Sequence, residues 1–145
     1  MPTDTDADAE PALLLDTSSA VALILEDHDA HAATLAAVRG RRLGLAGHAW
    51  FETYSVLTRL PPGMRRSPTE VARLLAHDFP ASVFLGRSDT AHLAHQLPGL
   101  GITGGAVYDA LVGAVARGYR RPLLTNDARA RPVYDALGVE VETLS

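Results

Sequence analysis

Short apolar runs recur along the chain, and each gives way to a longer segment with helix-capping residues and helical spacing. Residues 12–15 form such a run, stopped by Asp16; Thr17, Ser18 and Ser19 then offer caps for a helix through Leu25. Residues 42–46, 82–85, 122–125 and 139–144 repeat the strand pattern, while 29–39, 48–60, 89–97, 104–117 and 128–137 read as helices. Ser67-Pro68-Thr69-Glu70 opens a further helix, with proline in the first turn and capping-box spacing from Ser67 to Glu70. Five strands alternating with helices predict an α/β architecture around a mainly parallel sheet.

The chain has 145 residues with 47% hydrophobic content, enough for one well-buried core but not for two domains. There is no cysteine, which excludes disulfides, thiolate metal sites and cysteine nucleophiles. All 13 basic side chains are arginine, so every chemistry needing a lysine is excluded as well: P-loop, Schiff base, receiver domain and haloacid-dehalogenase phosphatase. The net charge of −4 lies in the opening segment, where Asp4, Asp6, Asp8 and Glu10 face no arginine. Residues 1–11 are expected to form a disordered acidic tail and 12–145 one domain. That tail lacks the features of a signal peptide, and runs such as 20–25 and 110–116 fall short of the roughly 18 apolar residues of a membrane span. A soluble cytoplasmic protein is expected.

Ligands of an open α/β sheet bind beyond the carboxyl ends of its strands. Asp16 and Asp127 sit there, although each could simply cap the helix that follows. Asp109 lies on a helix that is apolar nearly all round, more than a turn beyond Gly104-Gly105, and is expected to be buried. A buried carboxylate needs an arginine or a bound cation. Glu52 falls at the edge of the stripe formed by Ala49, Val56 and Leu60, where it could equally be solvated or pair with His48. The histidine pairs 28/31 and 92/95 have metal-compatible spacing without a third ligand, and read as surface residues. Gly104-Gly105 is no dinucleotide fingerprint, and Tyr54, Tyr108, Tyr119 and Tyr134 read as core or rim.

The segments LLLDTSSAVALI, HAWFETYSVLTRL and AVYDALVGAVARGYRRPLLTNDARA, in this order and spacing, resemble a PIN domain, and specifically the VapC-type toxin ribonucleases of bacterial toxin–antitoxin pairs. The resemblance runs from Leu13 to Leu144 and implies a three-layer α/β/α fold with a five-stranded, mainly parallel sheet. It makes Asp16, Glu52, Asp109 and Asp127 the catalytic, metal-holding acids, with Thr125 and Thr17 or Ser18 supporting them. Some family members carry a further carboxylate where this chain has Ala128, Arg129 and Ala130, so four acids are expected. The resemblance further implies an RNA substrate cut to a 5′-phosphate and 3′-hydroxyl, a small cognate antitoxin, and a homodimer that joins the antitoxin in a higher assembly.

Four carboxylates in one pocket repel one another unless they surround a cation, and oxygen-only ligands select Mg²⁺ or Mn²⁺. Such an ion would activate water and bind the scissile phosphate. Arg65, Arg66, Arg129 and Arg131 could contact RNA phosphates, although for any one cluster an ordinary solvated arginine is the favoured reading. Two other readings fit the same chain: a PIN nuclease of RNA processing, and a non-catalytic α/β binding module whose acids are caps.

Overall fold

Leu13, Leu14 and Leu15 are all fully buried, so the first strand must be covered on both faces. The computed structural model, which describes residues 11–144, meets this demand with helices on either side of a parallel sheet. The elements run β1 (Leu13–Leu15), α1 (Thr17–Ile24), α2 (His31–Val38), β2 (Leu43–Leu45), α3 (His48–Thr58) and α4 (Pro68–Asp78). There follow α5 (Arg87–Gln96), α6 (Ala106–Tyr119), β3 (Leu123–Leu124), α7 (Arg131–Ala136) and β4 (Val141–Glu142). The sheet order is β2-β1-β3-β4, all parallel, with Leu14 opposite Gly44 and Leu123.

Strand alternation sends side chains to opposite faces. Leu14 and Leu123 join Ala49, Val115 and Tyr134 in one core, while Leu13, Leu15, Leu45 and Leu124 join Leu57, Val71 and Phe79 in the other. Each fully buried leucine contributes about 1.5–3 kcal/mol, so these central strands anchor both layers. The capping box at Ser67 and Glu70 is formed, with hydrogen bonds of 3.2 and 3.3 Å.

The expected fifth strand at 82–85 is reduced to a single bridge, Ala46 with Val83. The backbone N–H groups of Ala81 and Val83 do reach Leu43 O and Leu45 O. The Ser82 hydroxyl, however, takes the Leu45 N–H at 2.9 Å in place of a backbone carbonyl, so the ladder stops. The last helix starts at Arg131 instead of 128, because Asp127 accepts the Arg129 N–H at 2.9 Å in a tight turn and Pro132 sits at the helix start. The expected disordered tail falls on residues 1–10, which lie outside the described residues, apart from Pro11.

Two glycines permit close approaches. A Cβ on Gly44 would meet Ala81 O at 2.2 Å, and Gly47 has a positive φ of 53° where α3 turns in against Val115. Because the obstacle at Gly44 is backbone, Gly44→Ala should cost about 3 kcal/mol, read by urea denaturation. Gly86→Ala, whose new methyl meets nothing within 4 Å, should leave the midpoint within error.

Candidate active site

Strand β1 leads to β2 on one side of the sheet, while β3 leads to β4 on the other, so the order reverses between β1 and β3. A crevice opens at the carboxyl ends of two strands placed this way. Asp16 leaves β1 there, and Thr125-Asn126-Asp127 leave β3 beside it. Helices α3 and α6 bring Glu52 and Asp109 to the same place. All four acids line one cavity of about 280 Å³, together with Thr17, Ser18, Arg129 and Tyr134.

Asp16 is only 2% exposed and accepts from donors on α1, on α7 and just beyond the end of β3. Its Oδ1 receives the Ser18 hydroxyl at 2.6 Å and the Ser19 N–H at 3.1 Å. Its Oδ2 receives the Thr125 hydroxyl at 2.5 Å and the Tyr134 hydroxyl at 2.9 Å. Thr125 Oγ1 in turn accepts the Asp127 N–H at 3.0 Å, and Ser18 Oγ accepts the Asn126 N–H at 2.9 Å. These two hydroxyls clamp the ends of β1 and β3 together. Asp16 is therefore both the N-cap of α1 and a wall of the cavity.

Asp127 caps no helix; its carboxylate takes the Arg129 N–H and meets the Arg129 guanidinium at 3.1 Å. Glu52 accepts the Thr17 hydroxyl at 3.1 Å. The alternative partner, His48, instead stacks on Tyr108 with ring centroids 5.1 Å apart. Asp109 departs from expectation in depth. It lies in the first turn of α6 and is half-buried, because the helix begins at Ala106 and points this turn at the cavity mouth. Among the described residues no cation reaches ion-pair distance of Asp109, although Arg129 acts on it at longer range. Burial pushes its carboxyl above the usual aspartate range, the charge of Asp127 adds to this, and Arg129 opposes it.

Sequence reasoning missed three contributors. Tyr134 was placed in the core or rim, yet its hydroxyl serves Asp16; burial and the Asp16 charge push its pKa far up, so it stays a donor. Ser19 binds Asp16 through its N–H and Leu124 O through its hydroxyl at 2.7 Å. Asn126 spans from Ser18 to Thr34. The only signal for Ser19 was its capping position three residues after Asp16. Of the arginines singled out, Arg129 lines the cavity, and Arg131 lies outside it, 3.3 Å from Asp135. Arg65 binds Leu60 O at 2.8 Å and, with Arg66, lines a separate hollow against Glu26 and Asp27.

The PIN domain family model matches residues 13–136. Ribonuclease VapC27 of Mycobacterium tuberculosis is 48% identical over 132 residues, spanning 91% of this chain and 96% of the relative. This chain belongs to the PIN domain family. Its VapC-type character is supported by a second relative, ribonuclease VapC40 of the same organism, 44% identical over 136 residues and covering 90% and 97%. The crystal structure of VapBC2 from Rickettsia felis bound to a DNA fragment from their promoter shares the fold. Its TM-score is 0.66 over 92% of this chain and 99% of that one, at 14% identity.

The donor set of this PIN domain is oxygen-only, which suits a hard divalent ion. Among the described residues no three acidic or histidine side chains stand close enough to ligate one ion directly. Like charges spread around the cavity, and a Mg²⁺-like ion that keeps several waters can meet them through that shell. The raised Asp109 pKa has a thermodynamic sign. The folded state holds this proton more tightly than the unfolded chain, so a stability penalty is absent below the usual aspartate range and grows as pH rises through the raised value. Asp109→Asn should therefore stabilise the metal-free protein at neutral pH by about 0.5–1 kcal/mol, a modest figure because the group is half exposed. It should also shrink the melting-point gain that millimolar Mg²⁺ gives the wild type. Thermal melts in EDTA and in metal check both; a variant that melts lower in EDTA contradicts the shared pocket.

Proposed function

We propose that this chain is a VapC-type endoribonuclease, the toxin of a toxin–antitoxin pair, whose reaction centre is the cavity shared by Asp16, Glu52, Asp109 and Asp127. The observation that carries the reading is that carboxylates from four separate parts of the chain line one cavity at the sheet's switch point. The names of VapC27 and VapC40 as ribonucleases, at 48% and 44% identity, support the activity.

PIN ribonucleases are generally divalent-metal dependent, and here Mg²⁺ or Mn²⁺ would be held by the four acids. When bound, it supplies a water of lowered pKa and a counter-charge for the scissile phosphate. The chain's own groups do the rest. Thr125 aligns Asp16 with Asp127, and Thr17 fixes Glu52. Ser18 and Tyr134 hold the Asp16 carboxylate so that it does not reorganise when charge arrives. The Arg129 guanidinium, 3.1 Å from Asp127 and largely in solvent, can exchange that partner for an incoming phosphate. Hydrolysis then leaves a 5′-phosphate and a 3′-hydroxyl. Unpaired RNA suits an open crevice better than a duplex, since its bases can be splayed into it.

A carboxylate cavity also attracts a guanidinium, so the cognate antitoxin would inhibit by inserting an arginine. Phe51 (57% exposed) and Phe84 (45% exposed) meet edge to face at 6.2 Å on the surface. That apolar patch supports a homodimer, which sedimentation of Phe51→Arg tests; an unchanged dimer would remove the patch from the interface. Among the described residues no helix is long and apolar enough to cross a membrane, and we place the protein in the cytoplasm with its RNA.

The purified chain should cleave RNA in Mg²⁺ or Mn²⁺ and stop in EDTA. Asp16→Asn should lower the rate by at least 100-fold, on the order of the loss of one key electrostatic group. Expressed alone, the wild type should arrest growth and this variant should not. Cleavage that persists undiminished in EDTA would reject the mechanism.

A further inference from the structure

A second cavity, of about 410 Å³, opens on the other side of Asp127. Ala30, Asn126, Ala128, Arg131 and Leu144 wall it, and Asp127 lines both cavities, which places the two side by side. Its volume lies at the low end of the roughly 300–1,000 Å³ typical of small-ligand sites, which suits one nucleotide. The walls are chemically mixed in a way that suits a base. Ala30, Ala128 and Leu144 offer apolar surface for a planar ring. Asn126 supplies the polar group: its amide nitrogen donates to Thr34 at 3.1 Å, while its Oδ1 is buried and has no hydrogen-bond donor among the described residues. A buried acceptor left unmatched carries an energetic cost, and a small turn of this amide toward the cavity would let a base N–H satisfy it. At the rim, the Arg131 guanidinium is engaged, among the described residues, through Nε on exposed Asp135. A surface pair of this kind is weak and leaves the terminal nitrogens for a phosphate.

We infer that this second cavity is a subsite for one RNA nucleotide next to the scissile phosphate, taking its base against Ala128 and Asn126 and its outer phosphate on Arg131. The inference rests on the nuclease reading and deepens it, because it locates where the enzyme distinguishes one base from another.

The test combines a binding readout and a cleavage readout on the full chain. Ala128 is exposed, so Ala128→Phe fills the cavity from outside while leaving the four acids in place; Arg131→Gln removes only the rim charge. Each of the four nucleoside monophosphates is titrated into the ¹⁵N-labelled protein. Saturable shifts of the Ala30, Asn126 and Ala128 amides are expected, weakened at least 10-fold in Ala128→Phe and about 3-fold in Arg131→Gln, with unchanged melting temperatures. Sequencing of cleaved RNA 5′ ends should show a base preference at one position beside the cut, and Ala128→Phe should flatten it while still cleaving. Nucleotide binding without any RNA cleavage would overturn the nuclease reading and leave the nucleotide site standing. Cleavage with an unaltered preference, or nucleotides bound equally by wild type and Ala128→Phe, overturns the subsite. So does a variant that binds nucleotides normally but resists the antitoxin, which would assign the cavity to protein.

Discussion

The Asp16 carboxylate joins parts of the chain that are far apart in sequence. It receives Ser18 and Ser19 from α1, Thr125 from the end of β3 and Tyr134 from α7, all while almost completely buried. A buried carboxylate is tolerated only when its lone pairs are used, and removing a partner leaves the full desolvation cost exposed. The crossover between β1 and β3, the start of α1 and the seating of α7 therefore all depend on one side chain. The same bonds hold Asp16 in a fixed orientation at the cavity wall, which is what a pre-organised site requires. N-cap and cavity wall are two descriptions of one residue here.

The remaining acids sit in a graded environment. Glu52 and Asp127 each have a local partner, Thr17 and Arg129. Asp109 has none within ion-pair distance among the described residues, and burial first, then the charge of Asp127, raises its carboxyl pKa. Desolvation and the neighbouring carboxylates thus both disfavour the charged form of Asp109 in the first turn of α6.

Much of this was legible in the sequence. Apolar runs bounded by Asp16, Gly47 and Thr125 located the parallel strands, and the Ser67–Glu70 spacing located a capping box that is formed. The positions of Asp16 and Asp127 followed from strand ends. The edge of the sheet was less legible, because the Ser82 hydroxyl replaces a ladder carbonyl and no apolar pattern records that substitution. The depth of Asp109 was overestimated, since periodicity finds a helix's apolar face but not the residue at which its first turn opens to solvent. Helical geometry left Glu52 open between solvent and His48; its placement in the cavity depends on how α3 packs against α1, which is tertiary information. Tyr134 gave no signal, because its role arises only when α7 folds back onto β1.

The central claim is that four acids from distant parts of the chain converge on one ion. Substoichiometric Mn²⁺, added to the ¹⁵N-labelled protein, tests it by paramagnetic broadening. The account predicts that the amides of Thr17, Glu52, Asp109 and Asp127 broaden together, at the same metal concentration, and that excess Mg²⁺ reverses all four. Broadening at only one of these residues, or at separate concentrations for each, would contradict it.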